Sequence, residues 1–230
     1  MQELIGKTIA RYQIRLETPQ LTVSPGECVN LPVMVINQGE TVEHVRISLE
    51  GVPGSWVMIR TNTLHLEPGV QQITTLSIQP PRSSQSRAGR YPIAVRLASQ
   101  SSQNQVVEAR GTIILASYLQ FTSQLYPRRL RASAIGRVTV RNQGNLQELF
   151  TLVWKDRTGE VDFKPAQTTL NIPAGQESIA EFQATPRHKS LLGGERIYPV
   201  TVQVSASKGE SQTLIGEIVS RGLLPAWFIS

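Results

Sequence analysis

The sequence repeats itself with a period of about 106 residues. Short motifs recur in the same order and at nearly the same spacing: Asn37-Gln38-Gly39 as Asn142-Gln143-Gly144, Pro81-Arg82 as Pro186-Arg187, Tyr91-Pro92 as Tyr198-Pro199, and Gly111 as Gly216. Ordered matches over this length rarely arise by chance. We therefore predict two homologous domains over residues 11–116 and 117–222, preceded by a lead-in of residues 1–10 and followed by an apolar tail of residues 223–230.

Apolar residues alternate with polar ones along short segments of each repeat, which is the pattern of a half-buried β-strand. One strand face carries Val29, Leu31, Val33 and Val35 in the first repeat, and Tyr198, Val200, Val202 and Val204 in the second. Turn signals such as Glu67-Pro68-Gly69 and Pro173-Ala174-Gly175 separate the segments. Short strands at this spacing, with about 100 residues in each repeat, predict an all-β chain of two antiparallel two-sheet sandwiches.

Two tyrosines and two prolines occupy equivalent positions in the repeats. We expect Tyr91 and Tyr198 at the start of the penultimate strand, where the tyrosine corner of immunoglobulin-like domains has its hydroxyl bonded to the backbone just upstream. Pro92 and Pro199 fall inside strand patterns. Because proline has no amide hydrogen to donate, we expect them on a sheet edge or at a strand start.

The first repeat carries a connected set of motifs: Ser24-Pro25-Gly26-Glu27, Leu31-Pro32-Val33, Asn37-Gln38-Gly39, Gly51-Val52-Pro53, Leu66-Glu67-Pro68-Gly69 and Gly89-x-Tyr91-Pro92. This set resembles the bacterial immunoglobulin-like (Ig-like) domains found beside α-galactosidase catalytic modules. The second repeat lacks the Gly-Val-Pro-Gly turn and the Leu-Pro-Val strand start. The resemblance implies two tandem Ig-like sandwiches without catalytic residues, of a kind that occurs in large bacterial surface and membrane proteins.

The residue types that perform catalysis or hold metal ions are scarce. The chain has one cysteine and three histidines, and Asp156 and Asp162 are its two aspartates. We expect Cys28 to be a surface thiol, and His44 and His65 to face solvent separately. No spacing in the sequence brings an acid–base pair together. We therefore predict a protein that is not an enzyme and that has no cofactor and no metal site.

Positive charge is concentrated near the start of the second repeat. The formal net charge is +6, and no Asp or Glu occurs from Tyr118 to Arg141. Within this stretch we predict Arg128, Arg129 and Arg131 as partner-binding residues, because guanidinium groups bind carboxylate or phosphate in a forked geometry. The partner would be a protein or an anionic surface. The alternative is ordinary solvation of a sheet edge, where charge also discourages aggregation. Nucleic acid is not expected, because the sequence offers no aromatic stacking platform.

The chain ends on an apolar segment that follows Arg221-Gly222. We predict that its large side chains contact a partner protein; they are Leu223, Leu224, Trp227 and Phe228. A tryptophan beside leucine and isoleucine after a cation is also typical of a membrane segment at the headgroup level, so membrane contact is a second expectation for this tail. These eight residues are too few to cross a bilayer, which needs roughly 20.

Together these features predict a tandem Ig-like spacer and docking module of a larger bacterial assembly or membrane-anchored protein. The alternative is a carbohydrate- or polymer-binding module that accompanies an enzyme. It requires a solvent-facing aromatic residue, and Trp56 is the candidate unless its ring caps the core. The compartment stays open: a native start at Met1 favours a cytoplasmic or tail-anchored protein, whereas a fragment favours a membrane-associated or cell-surface one.

Overall fold

The computed structural model describes residues 11–100, 106–188 and 194–222. The chain divides into two compact units, Met1–Tyr118 and Leu119–Ser230. In its described residues each unit has nine β-strands, and no α-helix occurs in the described part of the chain. The predicted all-β fold of two antiparallel sandwiches is confirmed.

The first domain is a sandwich of a four-stranded and a five-stranded sheet. Its strands are β1 (Tyr12–Leu16), β2 (Gln20–Val23), β3 (Val29–Asn37), β4 (Glu43–Glu50), β5 (Val57–Ile59), β6 (Thr63–Leu66), β7 (Gln71–Ile78), β8 (Gly89–Ser99) and β9 (Val106–Leu115). The sheet orders are β1-β3-β7-β5 and β2-β9-β8-β4-β6. Neighbouring strands are antiparallel except β2, which runs parallel to β9. A 3₁₀ turn at Gly54–Trp56 leads into β5.

The second domain repeats this topology strand for strand. Its strands are β10 (Phe121–Tyr126), β11 (Arg129–Arg131), β12 (Ile135–Asn142), β13 (Glu148–Asp156), β14 (Val161–Pro165), β15 (Thr169–Ile172), β16 (Glu177–Pro186), β17 (Glu195–Ala206) and β18 (Ser211–Arg221). The sheet orders are β10-β12-β16-β14 and β11-β18-β17-β13-β15. Here β11 is the parallel strand, paired with β18. An identical strand order explains why motifs recur at a nearly constant spacing.

Alternating residues fill the space between the two sheets of each domain. Leu31, Val33 and Val35 of β3 are at most 1% exposed, and Val202 and Val204 of β17 are fully buried. Burying a side chain of this size contributes roughly 1.5–3 kcal/mol. A one-residue slip in register would turn every such side chain toward water, so the buried faces fix the strand pairing.

A buried asparagine explains the recurring Asn-Gln-Gly motif. Asn37 is fully buried, and its side-chain amide donates to the carbonyl oxygens of Thr41 at 2.8 Å and Leu66 at 2.9 Å. Its Oδ1 accepts the Gly39 amide at 2.9 Å. Asn142 makes the same three bonds in the second domain, to Leu146, Ile172 and Gly144. Each asparagine therefore ties the loop after one strand to the end of another.

The predicted tyrosine corner is present in the first domain. The Tyr91 hydroxyl donates to the Arg87 carbonyl oxygen at 2.7 Å, four residues upstream. Tyr198 takes the equivalent position near the start of β17 and is buried. In the described part of the chain its hydroxyl has no such backbone partner, so the corner is complete only around Tyr91.

The two prolines lie where a missing amide hydrogen is tolerated. Pro92 and Pro199 lie in β8 and β17, which are interior strands of their sheets rather than edge strands. Each stands just beyond the end of a neighbour, because β4 pairs with β8 only as far as Ala94 and β13 with β17 only as far as Val200. The missing amide hydrogen therefore faces a local gap in the ladder, where it costs no hydrogen bond.

Candidate functional site

An arginine cleft of about 530 Å³ opens at the edge of the five-stranded sheet of the second domain. The described residues that line it are Arg129, Arg131, Ala132, Glu195, Val219, Ser220 and Arg221. The edge is the short strand β11, and alternate residues of a strand share a face. Arg129 and Arg131 are consequently exposed on one side, whereas Leu130 between them is buried in the core.

One carboxylate sits among these guanidinium groups. The Arg129 side chain donates to Glu195, and Nε of Arg221 lies 3.5 Å from a Glu195 oxygen. Arg131 forms no ion pair with any described residue. Three arginines and one glutamate give the cleft a formal charge of +2. Because exposed ion pairs contribute only about 0–1 kcal/mol to folding, this charge remains available to an anion.

The first domain has the same scaffold without these charges. Strand β2 pairs with β9 in the register that β11 makes with β18, so Gln20 and Thr22 stand where the second domain has Arg129 and Arg131. Continuing the register places Ala116 at the position of Arg221, and Ala88 at that of Glu195. The sandwich therefore forms without a charged residue at any of the four positions, although Arg90 of β8 reaches this edge and donates to Gln20 Oε1 at 3.3 Å.

The structure separates the three arginines that the sequence grouped. Arg129 and Arg131 line the arginine cleft, whereas Arg128 lines a different groove beside β10. Sequence reasoning missed Glu195 and Arg221, because they lie on β17 and β18 and reach the cleft only through the sheet topology. No local motif marks either residue.

The predicted contacts Leu223, Leu224, Trp227 and Phe228 lie outside the described residues. Among the residues that are described, no helix has the length and apolar character needed to cross a membrane. The expected roles of the tail in partner or membrane contact stay predictions.

Trp56 packs into the core of the first domain. It is 6% exposed, and its ring meets that of Tyr91 edge to face with 5.5 Å between the ring centroids. Trp56 therefore caps the core and is not available as a solvent-facing platform on which a sugar could stack. The alternative of a carbohydrate-binding module loses the aromatic residue on which it depended.

The cysteine and two of the three histidines lie in the first domain. Cys28 is a free, exposed thiol, as expected. His44 and His65 are directly opposite each other on β4 and β6, with ring centroids 4.7 Å apart. This pairing was not expected, because the two residues are far apart in the sequence. Nε2 of His65 lies 2.9 Å from a Glu67 oxygen. The described residues hold no group of three or more His, Cys, Asp or Glu side chains that could bind a metal ion.

Two buried carboxylates were also missed by sequence reasoning. Glu43 and Glu148 begin β4 and β13 and are 5% and 7% exposed. The Ser99 hydroxyl donates to Glu43 at 3.3 Å, and the Ser207 amide donates to Glu148 at 3.0 Å. Each carboxylate holds the chain where the neighbouring β8 or β17 ends. Their only sequence signal is their equal distance from the recurring Asn-Gln-Gly motif.

The carboxylate of Asp156 is used by the turn between β13 and β14. It accepts the amides of Gly159, Glu160 and Val161 and the Thr158 hydroxyl. Burial raises the pKa of Asp156, but these hydrogen bonds together outweigh it and hold the pKa below its ordinary value. Asp156 therefore stabilises the turn that connects β13 in one sheet to β14 in the other.

No protein family model and no curated protein matches the chain. Among solved structures, the Escherichia coli adhesin FdeC is similar with a TM-score of 0.40 and 11% identity, over 90% of this chain and 64% of that one. A protein of unknown function from Porphyromonas gingivalis W83 has a TM-score of 0.34 and 11% identity, over 90% and 99% of the two chains. The YadV chaperone has a TM-score of 0.32 and 11% identity, over 89% and 98%. Likeness at this level has no bearing on function.

Proposed function

We propose that the chain is a non-enzymatic tandem Ig-like spacer and docking module of a larger bacterial assembly, and that its arginine cleft binds an acidic segment of a protein partner. The observation that carries this function is the contrast between two homologous domains: one sandwich has +2 at the edge of its five-stranded sheet, and the other has no charge at the same positions. The resemblance of the first repeat to the Ig-like domains beside α-galactosidase modules supports the spacer role.

The chemistry of the cleft suits a carboxylate-bearing ligand. Arg131 has all its donors free of ion pairs with described residues, so it offers a forked contact to a planar carboxylate. Glu195 holds Arg129 and Arg221 in place while neutralising only one of them. Since the edge of the sheet is open to water, binding is expected to weaken as salt rises and the Debye length falls to about 8 Å at 0.15 M.

The test uses the complete chain and a fluorescein-labelled octaglutamate peptide, with binding followed by fluorescence anisotropy. The variant Arg129→Gln/Arg131→Thr/Arg221→Ala gives three of the four cleft positions the residues of the first domain and keeps Glu195. We expect the dissociation constant to rise at least tenfold, because a hydrogen bond to a charged group contributes about 1.5–3 kcal/mol.

A matched control removes the same net charge elsewhere. Arg60, Arg141 and Arg157 are exposed and form no ion pair with described residues, and their triple alanine variant has the net charge of the cleft variant. We expect this control to bind octaglutamate within about threefold of the parent chain. If both triple variants lose the same amount of affinity for octaglutamate, the peptide binds through overall charge and not through the cleft. That result would overturn the proposed function.

A further inference from the structure

A second recess, the strand groove, lies beside β10 in the second domain and has a volume of about 500 Å³. Ser123, Leu125 and Tyr126 form one wall, and Thr213 and Ile215 of β18 form the other. Tyr126 and Ile215 are 74% and 71% exposed, the highest values among the large apolar residues of the described chain. The volume falls in the range of roughly 300–1,000 Å³ that is typical of ligand sites.

The β18 wall is a strand edge with unpaired backbone. Strand β11 covers β18 only from Glu217 onward, so Thr213 and Ile215 have no strand neighbour on that side. The Glu217 amide donates toward β11, to the Arg128 carbonyl oxygen at 2.7 Å. Because backbone direction alternates with a period of two, the amides of Ile215 and Thr213 point the same way, into the groove.

The β10 wall is the edge of the four-stranded sheet, and it already makes one contact across the groove. Oε1 of Gln212 accepts the Ser123 amide at 3.0 Å, and Nε2 of Gln212 donates to the Phe121 carbonyl oxygen at 2.8 Å. This side chain thus bonds to β10 as one peptide unit of an added strand would. By the same alternation, the Leu125 amide points into the groove, and it has no partner among the described residues.

The first domain fills the equivalent space with apolar side chains. Ile14 of β1 takes the place of Ser123, and Val107 of β9 takes the place of Gln212. Both pack against the core of their domain. The second domain has polar groups in place of this packing, although the strand order and the uncovered part of the last strand are the same in both domains.

We propose that the strand groove binds an extended segment of a partner protein, which adds as a β-strand beyond Gln212 and carries a carboxylate opposite Arg128. The segment would bond to the free amides of Leu125, Thr213 and Ile215, which replaces hydrogen bonds to water with hydrogen bonds to backbone. Main-chain bonding of this kind tolerates many sequences and takes its specificity from alternate side chains. This site is separate from the arginine cleft and does not depend on it.

Charge complementarity selects the occupant. Arg128 is the one charged residue among the described residues that line the groove, and it forms no ion pair with them. The sequence from Tyr118 to Arg141 contains no acidic residue, and Glu217, which faces this stretch from β18, forms no ion pair with Arg128. A second copy of the chain docked edge to edge would bring two such cationic stretches together, so a partner with an acidic and apolar strand fits better.

The experiment titrates the ¹⁵N-labelled complete chain with a capped octapeptide of alternating valine and threonine that has a glutamate at each end. We expect the amide signals of Leu125, Thr213 and Ile215 to shift and to exchange with water more slowly. The same peptide with alternate amides N-methylated keeps its side chains, but the methyl groups along one edge keep the carbonyl oxygens of that edge away from the groove amides, so we expect at least tenfold weaker binding. Absence of shifts at these three amides, or equal binding of the methylated peptide, overturns the proposal.

Two variants test the groove directly. Ser123→Ile/Gln212→Val fills it with the residues of the first domain, and we expect at least tenfold weaker octapeptide binding. Thr213→Pro removes one groove-facing amide on an edge where proline is tolerated, whereas Thr213→Val keeps that amide and should bind as the parent does. Unchanged binding in both the filled variant and Thr213→Pro contradicts the inference.

The two sites fail independently. The arginine-cleft triple variant should still bind the octapeptide, and the filled-groove variant should still bind octaglutamate. Loss of only one of these activities therefore identifies which proposal is wrong.

Discussion

Replacement of the buried asparagine in each domain tests how the repeated motif stabilises the sandwich. Asn37→Ala removes two donors and one acceptor from a fully buried site in the first domain. It leaves the Thr41 and Leu66 carbonyl oxygens and the Gly39 amide without the partners they have in the parent structure. Asn142→Ala is the matched change in the second domain.

The expected cost follows from three hydrogen bonds. Each contributes a net stabilisation of about 1 kcal/mol, and a buried group left unsatisfied costs about 1–3 kcal/mol. Partial entry of water relieves some of this penalty, so we expect a loss of about 3 kcal/mol in the free energy of unfolding. That is a large fraction of the roughly 5–15 kcal/mol that stabilises a typical domain.

Hydrogen exchange measured by mass spectrometry separates the two domains. A loss of about 3 kcal/mol corresponds to roughly 100-fold faster exchange of the slowest amides. We expect this in β3 and β7 for Asn37→Ala and in β12 and β16 for Asn142→Ala. The control is Asn171→Ala, because Asn171 is exposed on β15 and its loss should change stability by less than about 0.5 kcal/mol. If Asn37→Ala changes stability as little as this control does, the buried Asn37 amide does not stabilise the loop that follows β3.

Three further predictions concern single residues. Gly111→Ala should cost about 1–3 kcal/mol in thermal unfolding, because a Cβ there would lie 2.7 Å from the Pro19 carbonyl oxygen, whereas Gly54→Ala, with open space around its Cβ, should be neutral. Tyr91→Phe should cost about 1 kcal/mol in urea unfolding through loss of the corner hydrogen bond, and an unchanged midpoint would refute the role of the hydroxyl. The lowered pKa of Asp156 means that its carboxylate stabilises the fold above the ordinary aspartate pKa of about 3.9 and that this stabilisation is lost as pH falls through the folded value. Asp156→Asn should therefore be less stable than the parent at pH 6, and the difference should shrink as pH falls below the ordinary aspartate pKa; a difference that does not change with pH would contradict this.

Alternation and repetition were sufficient to predict the sandwich and its long strands, but not short strands such as β2 and β11. Both signals are local: the parity of Val33 and Val35 is set by the pleat, and the turns are set by glycine and proline. The recurrence of Asn37 as Asn142 was also visible, but its physical cause was not. In the sequence, an asparagine in an exposed turn cannot be distinguished from a fully buried asparagine that makes three hydrogen bonds. Only the structure shows that Asn37 and Asn142 are buried.

The candidate site was predicted in part. Arg128, Arg129 and Arg131 were marked in the sequence by a stretch without acidic residues, but their division between two recesses was not predicted, because Arg128 precedes the short strand β11 that carries the other two. Glu195 and Arg221 belong to strands that join β11 only after the sheet order is known. The strand groove was not predicted, because an unpaired edge depends on where a neighbouring strand stops.

The arginine side chains themselves give the most direct test of the docking function. Their Nε–Hε signals can be followed by NMR while octaglutamate is added to the complete chain. If the arginine cleft is the binding site, the signals of Arg129, Arg131 and Arg221 will shift together and saturate with one dissociation constant. Shifts spread evenly over all 18 arginines would show that the peptide binds a diffuse positive charge and not this cleft.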